Sequence, residues 1–159
     1  MLDLWLRLAV ESDSQFLGRL YASTREKELT YLPWSITQKH TFLNSQFFAR
    51  EAYYQANYPQ AEDSIICYEN HTIGRLYVNQ GDLEIRIIDF SLVAEYRNRG
   101  MGLSLMLDLQ RQAVEAGKKL AGSIDRTNRA ITFWKRLGFK ITEGDELYLP
   151  MVWDPHQKH

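Results

Sequence analysis

The sequence is poor in the residues that build cross-linked or metal-stabilised folds. Cys67 is the single cysteine among 159 residues, which excludes an internal disulfide and a cysteine-built zinc site. The four histidines, at positions 40, 71, 156 and 159, are dispersed and show no metal-ligand spacing. We therefore expect no metal site, and we expect Cys67 to be a small apolar strand residue.

Strong charge of one sign and long apolar runs are also missing. Lysine and arginine number 19 against 20 aspartate and glutamate residues, a formal net charge of -1. This balance argues against a mainly electrostatic nucleic-acid binder. No run of about 18 apolar residues occurs, so no membrane span is expected. Asp3 and Arg7 lie inside the apolar stretch of residues 1–10, whereas a signal peptide carries its charge first and keeps the apolar stretch that follows uncharged. We therefore expect a cytoplasmic protein.

Repeats, low-complexity tracts and proline- or glycine-rich linkers are absent as well. A length of 159 residues fits one domain, so residues 1–159 are expected to form a single domain. Hydrophobic residues make up 45% and charged residues 25%, the mix of a globular protein.

Periodicity along the chain predicts the element order β-α-α-β-β-β-α-β-α-β-β. Ser12 and Ser35 are each followed three residues later by glutamine, the capping-box spacing that opens a helix. The first helix is expected to end near Ser23, with 28–33 as loop. The predicted strands are 4–8, 64–68, 72–78, 83–93 (the longest), 120–124, 139–142 and 147–153. In the helix between 83–93 and 120–124, core positions are Leu103, Leu105, Met106 and Leu109.

This order predicts an α+β fold with a mixed central sheet. The three strands joined by tight turns form an antiparallel meander. The strand–helix–strand stretch from 83 to 124 should be a right-handed parallel crossover.

The segment from Tyr96 to Gly102 joins the longest predicted strand to the most periodic helix. A helix N-terminus leaves backbone amides unpaired and carries partial positive charge. Gly100 and Gly102 let the backbone approach a ligand, and Arg97 and Arg99 add positive charge. These features predict a site for phosphate or pyrophosphate, the alternative being an ordinary turn with solvated arginines.

Two common phosphate motifs do not match this segment. A P-loop would continue with lysine and serine or threonine, whereas Leu103 follows Gly102. A dinucleotide fingerprint needs a third glycine where Leu105 stands.

The pattern Arg97-x-x-Gly100-x-Gly102 after a strand resembles the coenzyme A pyrophosphate loop of GNAT-type N-acetyltransferases. The stretch from Asn128 to Phe139 resembles their second hallmark, in which an asparagine opens a short helix that leads to Leu-Gly-Phe. The strong resemblance covers about residues 64–143. It implies a GNAT-like α+β fold with a mostly antiparallel sheet, flanking helices and a parallel strand pair split by the cofactor.

The resemblance also implies acetyl-CoA as co-substrate and a set of contacts to it. The backbone of Phe90, Ser91 and Leu92 would bind the pantetheine arm, as would Asn128, for which Thr127 is the alternative match. The pyrophosphate would lie on the amides from Asn98 to Leu103. The full cofactor-binding set is Phe90, Ser91, Leu92, Arg97, Asn98, Arg99, Gly100, Met101, Gly102, Leu103, Asn128 and Trp134.

Trp134 departs from the family pattern. Many members have a tyrosine there, whose phenol protonates the departing thiolate, and an indole N–H cannot act as an acid in this range. Another group or water supplies the proton, or acetyl transfer has been lost. Packing of Trp134 against the cofactor arm is a further alternative.

The reaction that the resemblance implies is direct attack of a neutral amine on the acetyl thioester. A base or a water chain takes the amine proton, and a backbone N–H near Leu92 holds the oxyanion. Asp89 and Glu84 are the candidate catalytic residues. Asp89 is acidic in an apolar run, which is unfavourable unless it is paired or functional. An ion pair with Arg86, Arg75 or a neighbour on the next strand is the alternative for Asp89, and Glu84 is expected to be exposed.

Residues 31–58 hold eight of the chain's 20 aromatic residues. Tyr31 and Trp34 are the candidate substrate-binding residues of an aromatic pocket suited to a cationic amine. An acidic rim would come from Glu26, Glu28 and Glu51. Core packing is the expectation for Phe42, Phe47 and Phe48.

The sequence therefore predicts an acetyl-CoA-dependent N-acetyltransferase that acts on a primary amine of a small molecule or peptide, with a homodimer left open. A catalytically quiet acyl-CoA-binding sensor or interaction module is the alternative raised by Trp134. A phosphate-binding or nucleic-acid module that does not use coenzyme A is a third hypothesis.

Overall fold

The computed structural model describes residues 3–126 and 130–156. Over these residues the chain forms four α-helices and seven strands, in the predicted order. The helices are α1 (Ser14–Leu29), α2 (Ile36–Asn57), α3 (Met101–Ala116) and α4 (Ile131–Arg136). The strands are β1 (Leu4–Leu8), β2 (Glu62–Tyr68), β3 (His71–Gln80), β4 (Glu84–Leu92), β5 (Lys119–Asp125), β6 (Lys140–Ile141) and β7 (Tyr148–Trp153).

The strands lie in the order β1-β2-β3-β4-β5-β7-β6 within one sheet. β1 is antiparallel to β2, and β7 is antiparallel to both β5 and β6. β4 and β5 are parallel, with a register from Glu84 opposite Lys119 to Ile87 opposite Gly122. The predicted α+β fold, with a mostly antiparallel sheet and one parallel pair, is confirmed.

The chain divides into two compact units, residues 1–77 with 89–102 and residues 78–88 with 103–159. In the first unit, α1 and α2 pack on β2 around a core of Leu17, Tyr21, Leu29, Leu43, Phe47, Ile65 and Cys67. In the second unit, the buried side chains include Ile85, Ile87, Met106, Leu109, Ala113, Leu120, Ile124, Trp134, Phe139 and Met151.

The two predicted capping boxes have different outcomes. Ser35 Oγ accepts from the Gln38 amide at 3.1 Å, and Gln38 Oε1 accepts from the Ser35 amide at 2.8 Å, so this box is confirmed. The box at Ser12 is wrong, because Glu11–Asp13 forms a 3-10 turn and α1 begins at Ser14. Asp13 Oδ2 accepts from the Val10 amide at 2.8 Å, a contact at the start of the 3-10 turn, and the Asp13 side chain makes no cap hydrogen bond to α1.

α1 also continues beyond its predicted end near Ser23. Arg25 and Glu28 form an ion pair of 2.7 Å at helical spacing, and Leu29 is buried. These residues extend the helix into the segment that the sequence assigned to a loop. The longest strand is β3, with 10 residues, rather than β4, with nine.

Two apolar side chains that were expected in the core are exposed instead. Phe48 is 61% exposed, because its neighbour Phe47 occupies the buried face of α2. Leu103 is 47% exposed, whereas Met106 and Leu109 are buried on the other face of α3. Neighbouring apolar residues on a helix therefore divide between core and surface.

Candidate active site

A turn with two left-handed residues connects the end of β4 to the start of α3. Asn98 has φ of 60° and Gly100 has φ of 83°. Asparagine tolerates this conformation, and glycine adopts it without strain. No heavy atom lies within 4 Å of a Cβ built on Gly100, so the backbone conformation rather than crowding selects glycine.

The main-chain amides of this turn are available to a ligand. Tyr96 and Arg97 donate their amides to Val93 and Ala94, at 2.9 and 3.2 Å. Within the described part of the chain, the amides of residues 98–100 donate to no main-chain acceptor. Those of 101–103 begin α3, where helix geometry provides no acceptor. Six successive donors thus lie at the positive end of a 16-residue helix.

The two predicted arginines lie at this turn and are partly engaged. Arg97 Nε donates to the Leu92 carbonyl at 2.9 Å, which fixes the side chain at the end of β4. Arg99 Nη1 donates to the Glu95 carbonyl at 3.4 Å, and its guanidinium lies 5.4 Å from the Tyr96 ring centroid. Both side chains are exposed at the turn and add positive charge beside the amides.

β3 holds the end of β4 in place. A Cβ on Gly74 would overlap the main-chain oxygen of Ser91 and would lie 2.9 Å from Leu92 Cδ2. The Val93 amide donates to the Ile73 carbonyl at 2.7 Å. Glycine at position 74 therefore permits the close approach that positions residues 90–92.

Asp89 lies on β4 immediately before these residues. Its Oδ1 accepts from Ser91 Oγ at 3.0 Å. Its Oδ2 lies 3.4 Å from Arg50 Nη2 and 3.8 Å from Arg75 Nη1. The ion pair with Arg75 is one of the alternatives that the sequence left open, whereas Arg86 pairs with Glu84 at 2.9 Å.

Arg75 is the centre of this ion-pair network. Its side chain is 1% exposed, and it donates to Asp63 through Nε and Nη2, each at 2.8 Å. It also donates to Glu51 through Nη1 and Nη2, at 2.9 and 2.8 Å. Burial alone would lower the pKa of Arg75, but the hydrogen bonds to Asp63 and Glu51 raise it above its ordinary value. We call Arg50, Glu51, Asp63, Arg75 and Asp89 the charged cluster.

Arg50 is held less tightly than Arg75. Its guanidinium lies 4.4 Å from the Tyr21 ring centroid and 5.3 Å from that of Tyr54. Its Nε is buried and has no hydrogen-bond partner among the described residues. Burial raises the pKa of the Tyr54 phenol, which stays protonated at neutral pH. Within the charged cluster, the guanidinium of Arg50 therefore packs against the rings of Tyr21 and Tyr54.

The sequence could reveal only part of this cluster. An acidic residue in an apolar strand requires a partner, and that requirement left Arg86, Arg75 and a neighbour on the next strand as the possible partners of Asp89. Arg50 and Glu51 lie on α2 and Asp63 on β2, so no local pattern connects them to Asp89.

An open groove of about 670 Å³ lies at the start of α2. Trp34 meets Phe42 edge to face, with ring centroids 5.2 Å apart. The groove is lined by Trp34, Ser35, Thr37, Gln38, Thr41, Phe42 and Ser45, among which no residue is charged. Trp34 is 37% exposed, and Tyr31 is 92% exposed on the turn before it.

The acidic rim expected from the sequence does not surround this groove. Glu26 lines a separate cavity of about 140 Å³ with residues of α1 and α2. Glu28 pairs with Arg25, and Glu51 pairs with Arg75. The three carboxylates thus belong to other parts of the first unit.

Trp134 lies on α4 in the second unit and is 5% exposed. Its ring centroid is 5.2 Å from those of Phe133 and Phe139. Asn128 and the alternative Thr127 lie outside the described residues. The cofactor contacts of Asn128 and Trp134 remain predictions.

The sequence matches the model of a family described as "Acetyltransferase (GNAT) domain" over residues 22–149. The chain belongs to the GNAT acetyltransferase family. The sequence-based assignment to this family, and with it to acyl transfer as a class of reaction, is confirmed. No curated protein matches the chain in sequence.

Solved structures of other GNAT proteins resemble the fold. PaiA N-acetyltransferase from Thermoplasma acidophilum, in complex with coenzyme A, has a TM-score of 0.69 at 14% identity, covering 95% of this chain and 98% of that one. An acetyltransferase from Thermus thermophilus has a TM-score of 0.67 at 14% identity, covering 96% and 99%. Arabidopsis thaliana Naa50, in complex with the bisubstrate analogue CoA-Ac-MVNAL, has a TM-score of 0.63 at 15% identity, covering 96% and 99%.

The described residues offer neither a membrane-spanning helix nor a metal site. Across residues 3–126 and 130–156, every helix is too short or too polar to cross a bilayer. The same residues contain no group of three or more histidine, cysteine, aspartate or glutamate side chains placed to hold a metal ion.

Proposed function

We propose that this GNAT protein transfers the acetyl group of acetyl-CoA to a primary amine of a small molecule or peptide by direct attack. The observation that carries the proposal is the run of available amides at residues 98–103, preceding and opening α3. A pyrophosphate is the kind of anion that such donors bind. Membership in the family supports the same reading of the turn.

The residues present fit coenzyme A. The amides from Asn98 to Leu103 would hold the pyrophosphate, and Arg97 and Arg99 would add charge from the exposed side. The main chain of residues 90–92, fixed by β3, would hold the pantetheine arm together with Asn128. When bound, acetyl-CoA supplies the thioester carbonyl that the amine attacks.

Asp89 is the better placed of the two candidate bases. Its oxygens are loosely held by guanidinium groups, at 3.4 and 3.8 Å, and it lies next to Phe90. Glu84 lies at the other end of β4 and is bound by Arg86 at 2.9 Å. We assign to Asp89 the removal of the amine proton, directly or through one water.

The charge of the surrounding cluster supports an amine acceptor. The charged cluster contains three carboxylates and two guanidinium groups, so negative charge is in excess there. An approaching ammonium group is attracted by this excess before it loses its proton. A carboxylate acceptor would be repelled.

Trp134 favours a second candidate function, which is acyl-CoA binding without turnover. The indole is buried between Phe133 and Phe139, and it cannot serve as the thiolate's acid. A protein that binds acetyl-CoA but leaves it intact would be a sensor or an interaction module.

Two measurements test the proposal. Titration calorimetry with acetyl-CoA and with coenzyme A should show micromolar binding of both. Release of free thiol from acetyl-CoA should accelerate with at least one amine in a panel of small amines and peptides. Binding without thiol release would support the sensor, and absence of binding would refute both functions.

A further inference from the structure

We propose that β1 is the surface through which two copies of this chain associate, with the two β1 strands antiparallel across a two-fold axis at Trp5. β1 lies at one end of the strand order, beside β2. Among the described residues, no strand pairs with its outer edge. The inference concerns the assembly of the chain and does not depend on the acetyl transfer proposed above.

The outer edge of β1 is apolar and open. Trp5 is 46% exposed, Leu6 44% and Leu8 66%. Edge strands are normally protected by proline, by several charges or by being very short. β1 has the sequence Leu-Trp-Leu-Arg-Leu, without proline and with one charge. At the other end of the strand order, β6 has only two residues, one of them the exposed Lys140, so β1 is the edge that lacks protection.

The main chain of β1 offers hydrogen bonds to a further strand. On the inner side, the Glu69 amide donates to the Asp3 carbonyl at 3.1 Å, and the Ala9 amide donates to the Asp63 carbonyl at 2.8 Å. Main-chain groups of successive residues point to opposite sides of an antiparallel strand. The odd-numbered residues of β1 therefore face β2, and the N–H and C=O groups of residues 4, 6 and 8 face outwards.

The segment is complementary to itself when it is reversed about Trp5. With Trp5 opposite Trp5 of a second copy, Leu4 lies opposite Leu6, and Asp3 lies opposite Arg7. Leu4 and Leu6 are outward-facing, so they exchange both main-chain hydrogen bonds. The Trp5 pair and the Asp3–Arg7 pairs take the positions without hydrogen bonds, where side chains come closest. Two-fold symmetry repeats each off-axis contact.

The opposite charges of Asp3 and Arg7 select both the occupant and the register. Asp3 is exposed, and the Arg7 side chain is 34% exposed. Asp13 accepts from Nη1 and Nη2 of Arg7 at 2.8 Å each, which leaves other N–H groups of the guanidinium for Asp3 of the second copy. An axis at Leu6 would put Asp3 opposite Ala9, without a counter-charge.

The association should be reversible, because strands this short bury less surface than a standard stable interface. We expect sedimentation equilibrium of the full chain to show a monomer–dimer equilibrium with Kd of about 10–100 µM. A protein that is still monomeric at about 300 µM would overturn the proposal.

A charge reversal tests the register. Asp3→Lys puts a lysine opposite Arg7 of the second copy, and we expect the dimer Kd to rise about tenfold or more. Glu11→Lys is the matched control, because Glu11 is an exposed acidic residue in the turn after β1 and outside the proposed pairing. An equal rise in both variants would show a general charge effect and refute the pairing.

A cross-link tests the position of the axis. Trp5→Cys would place two thiols across a pair without hydrogen bonds, with Cα atoms about 4.5 Å apart, a separation that a disulfide can span. Leu8→Cys is the control, since its two copies would lie about 20 Å apart along the strands. The native Cys67 is 2% exposed and contributes no cross-link. We expect copper–phenanthroline to link Trp5→Cys and leave Leu8→Cys monomeric, and equal rates of linking would refute the axis.

A strand peptide tests whether a different chain takes the same edge. The probe is the hexapeptide amide Lys-Val-Thr-Val-Thr-Glu, which favours a strand but lacks the leucines and tryptophan of β1. We expect calorimetry to show no binding at about 1 mM peptide. Binding of this peptide by a monomeric protein, lost in Asp3→Lys, would assign the edge to another partner and overturn the proposal.

Discussion

Arg75 and Glu51 form a bidentate ion pair inside the first unit, with Nη1–Oε2 at 2.9 Å and Nη2–Oε1 at 2.8 Å. Arg75 belongs to β3 and Glu51 to α2, so the pair fastens the helix to the strand. Because Arg75 is 1% exposed, its charge depends on Glu51 and Asp63 for compensation.

Removal of Arg75 should therefore be strongly destabilising. We expect Arg75→Gln to lower the free energy of unfolding by about 3–5 kcal/mol, because carboxylates lose their buried counter-ion. Urea denaturation measures the change. Arg86→Gln is the control, since that pair with Glu84 is about one-third exposed, and it should cost less than about 1 kcal/mol. Equal losses in the two variants would contradict the central role of Arg75.

Gly100→Asp should abolish acetyl-CoA binding. The residue has φ of 83°, and a carboxylate there would repel the pyrophosphate from the adjacent amides. We expect calorimetry to show a Kd at least about a hundredfold higher, and the same for Gly102→Asp.

Gly117→Asp is the matched control for backbone strain. Its φ is 68°, and the space around it is equally open, but it lies beyond the C-terminal end of α3. Both aspartates should cost about 1–3 kcal/mol of stability, while the Gly117 variant binds acetyl-CoA normally. Tight binding retained in Gly100→Asp and Gly102→Asp would place the cofactor elsewhere.

Local patterns predicted the structure well where the interaction is local. The Ser35–Gln38 box was readable because both partners lie within one helical turn. The end of α1 was misjudged, since Leu29 becomes part of a helix by packing into the core. Phe48 was misjudged because composition does not reveal which face of α2 the sheet covers.

The candidate site also has a part that depends on local sequence and a part that depends on tertiary packing. The turn between β4 and α3 depends on consecutive residues, so Gly100 could be identified from the sequence and has the left-handed backbone that the turn needs. The partners of Asp89 come from α2 and β3, and their approach is a consequence of tertiary packing.

A comparison at position 134 tests the missing acid. Trp134→Tyr and Trp134→Phe each place a six-membered ring beside Phe139. The two variants differ from each other only in the phenolic hydroxyl. We expect kcat for thiol release to be about tenfold or more higher in the tyrosine variant, because its phenol can protonate the thiolate. Equal kcat values would mean that the proton comes from another group or from water.

Asp89→Asn tests the proposed base. We expect kcat to fall by about a hundredfold with little change in the Kd of acetyl-CoA. Glu84→Gln should change kcat less than about twofold, since Glu84 is paired with Arg86. Chemical denaturation of both variants checks that the charged cluster survives. A larger loss of kcat in Glu84→Gln would reverse the assignment.

Stability should depend on Asp13 at neutral pH and not in acid. The hydrogen bonds from Arg7, 2.8 Å each, hold the pKa of Asp13 below its ordinary value. A lowered pKa means that the stabilisation is present above about pH 4 and is lost as pH falls through the folded-state value. We expect Asp13→Asn to lower Tm at pH 7, with the difference from the unchanged protein shrinking towards pH 3. A pH-independent difference would contradict the ion pair's role.

Cys67 is the chain's single thiol. It lies on β2 in the core beneath α1 and α2, and it is 2% exposed. Burial raises its pKa, so little thiolate forms near neutral pH. A chromogenic disulfide reagent would find almost nothing to react with on the native enzyme. The absorbance that develops in a thiol-release assay therefore measures the free coenzyme A that is formed. No correction is needed for the protein's own thiol.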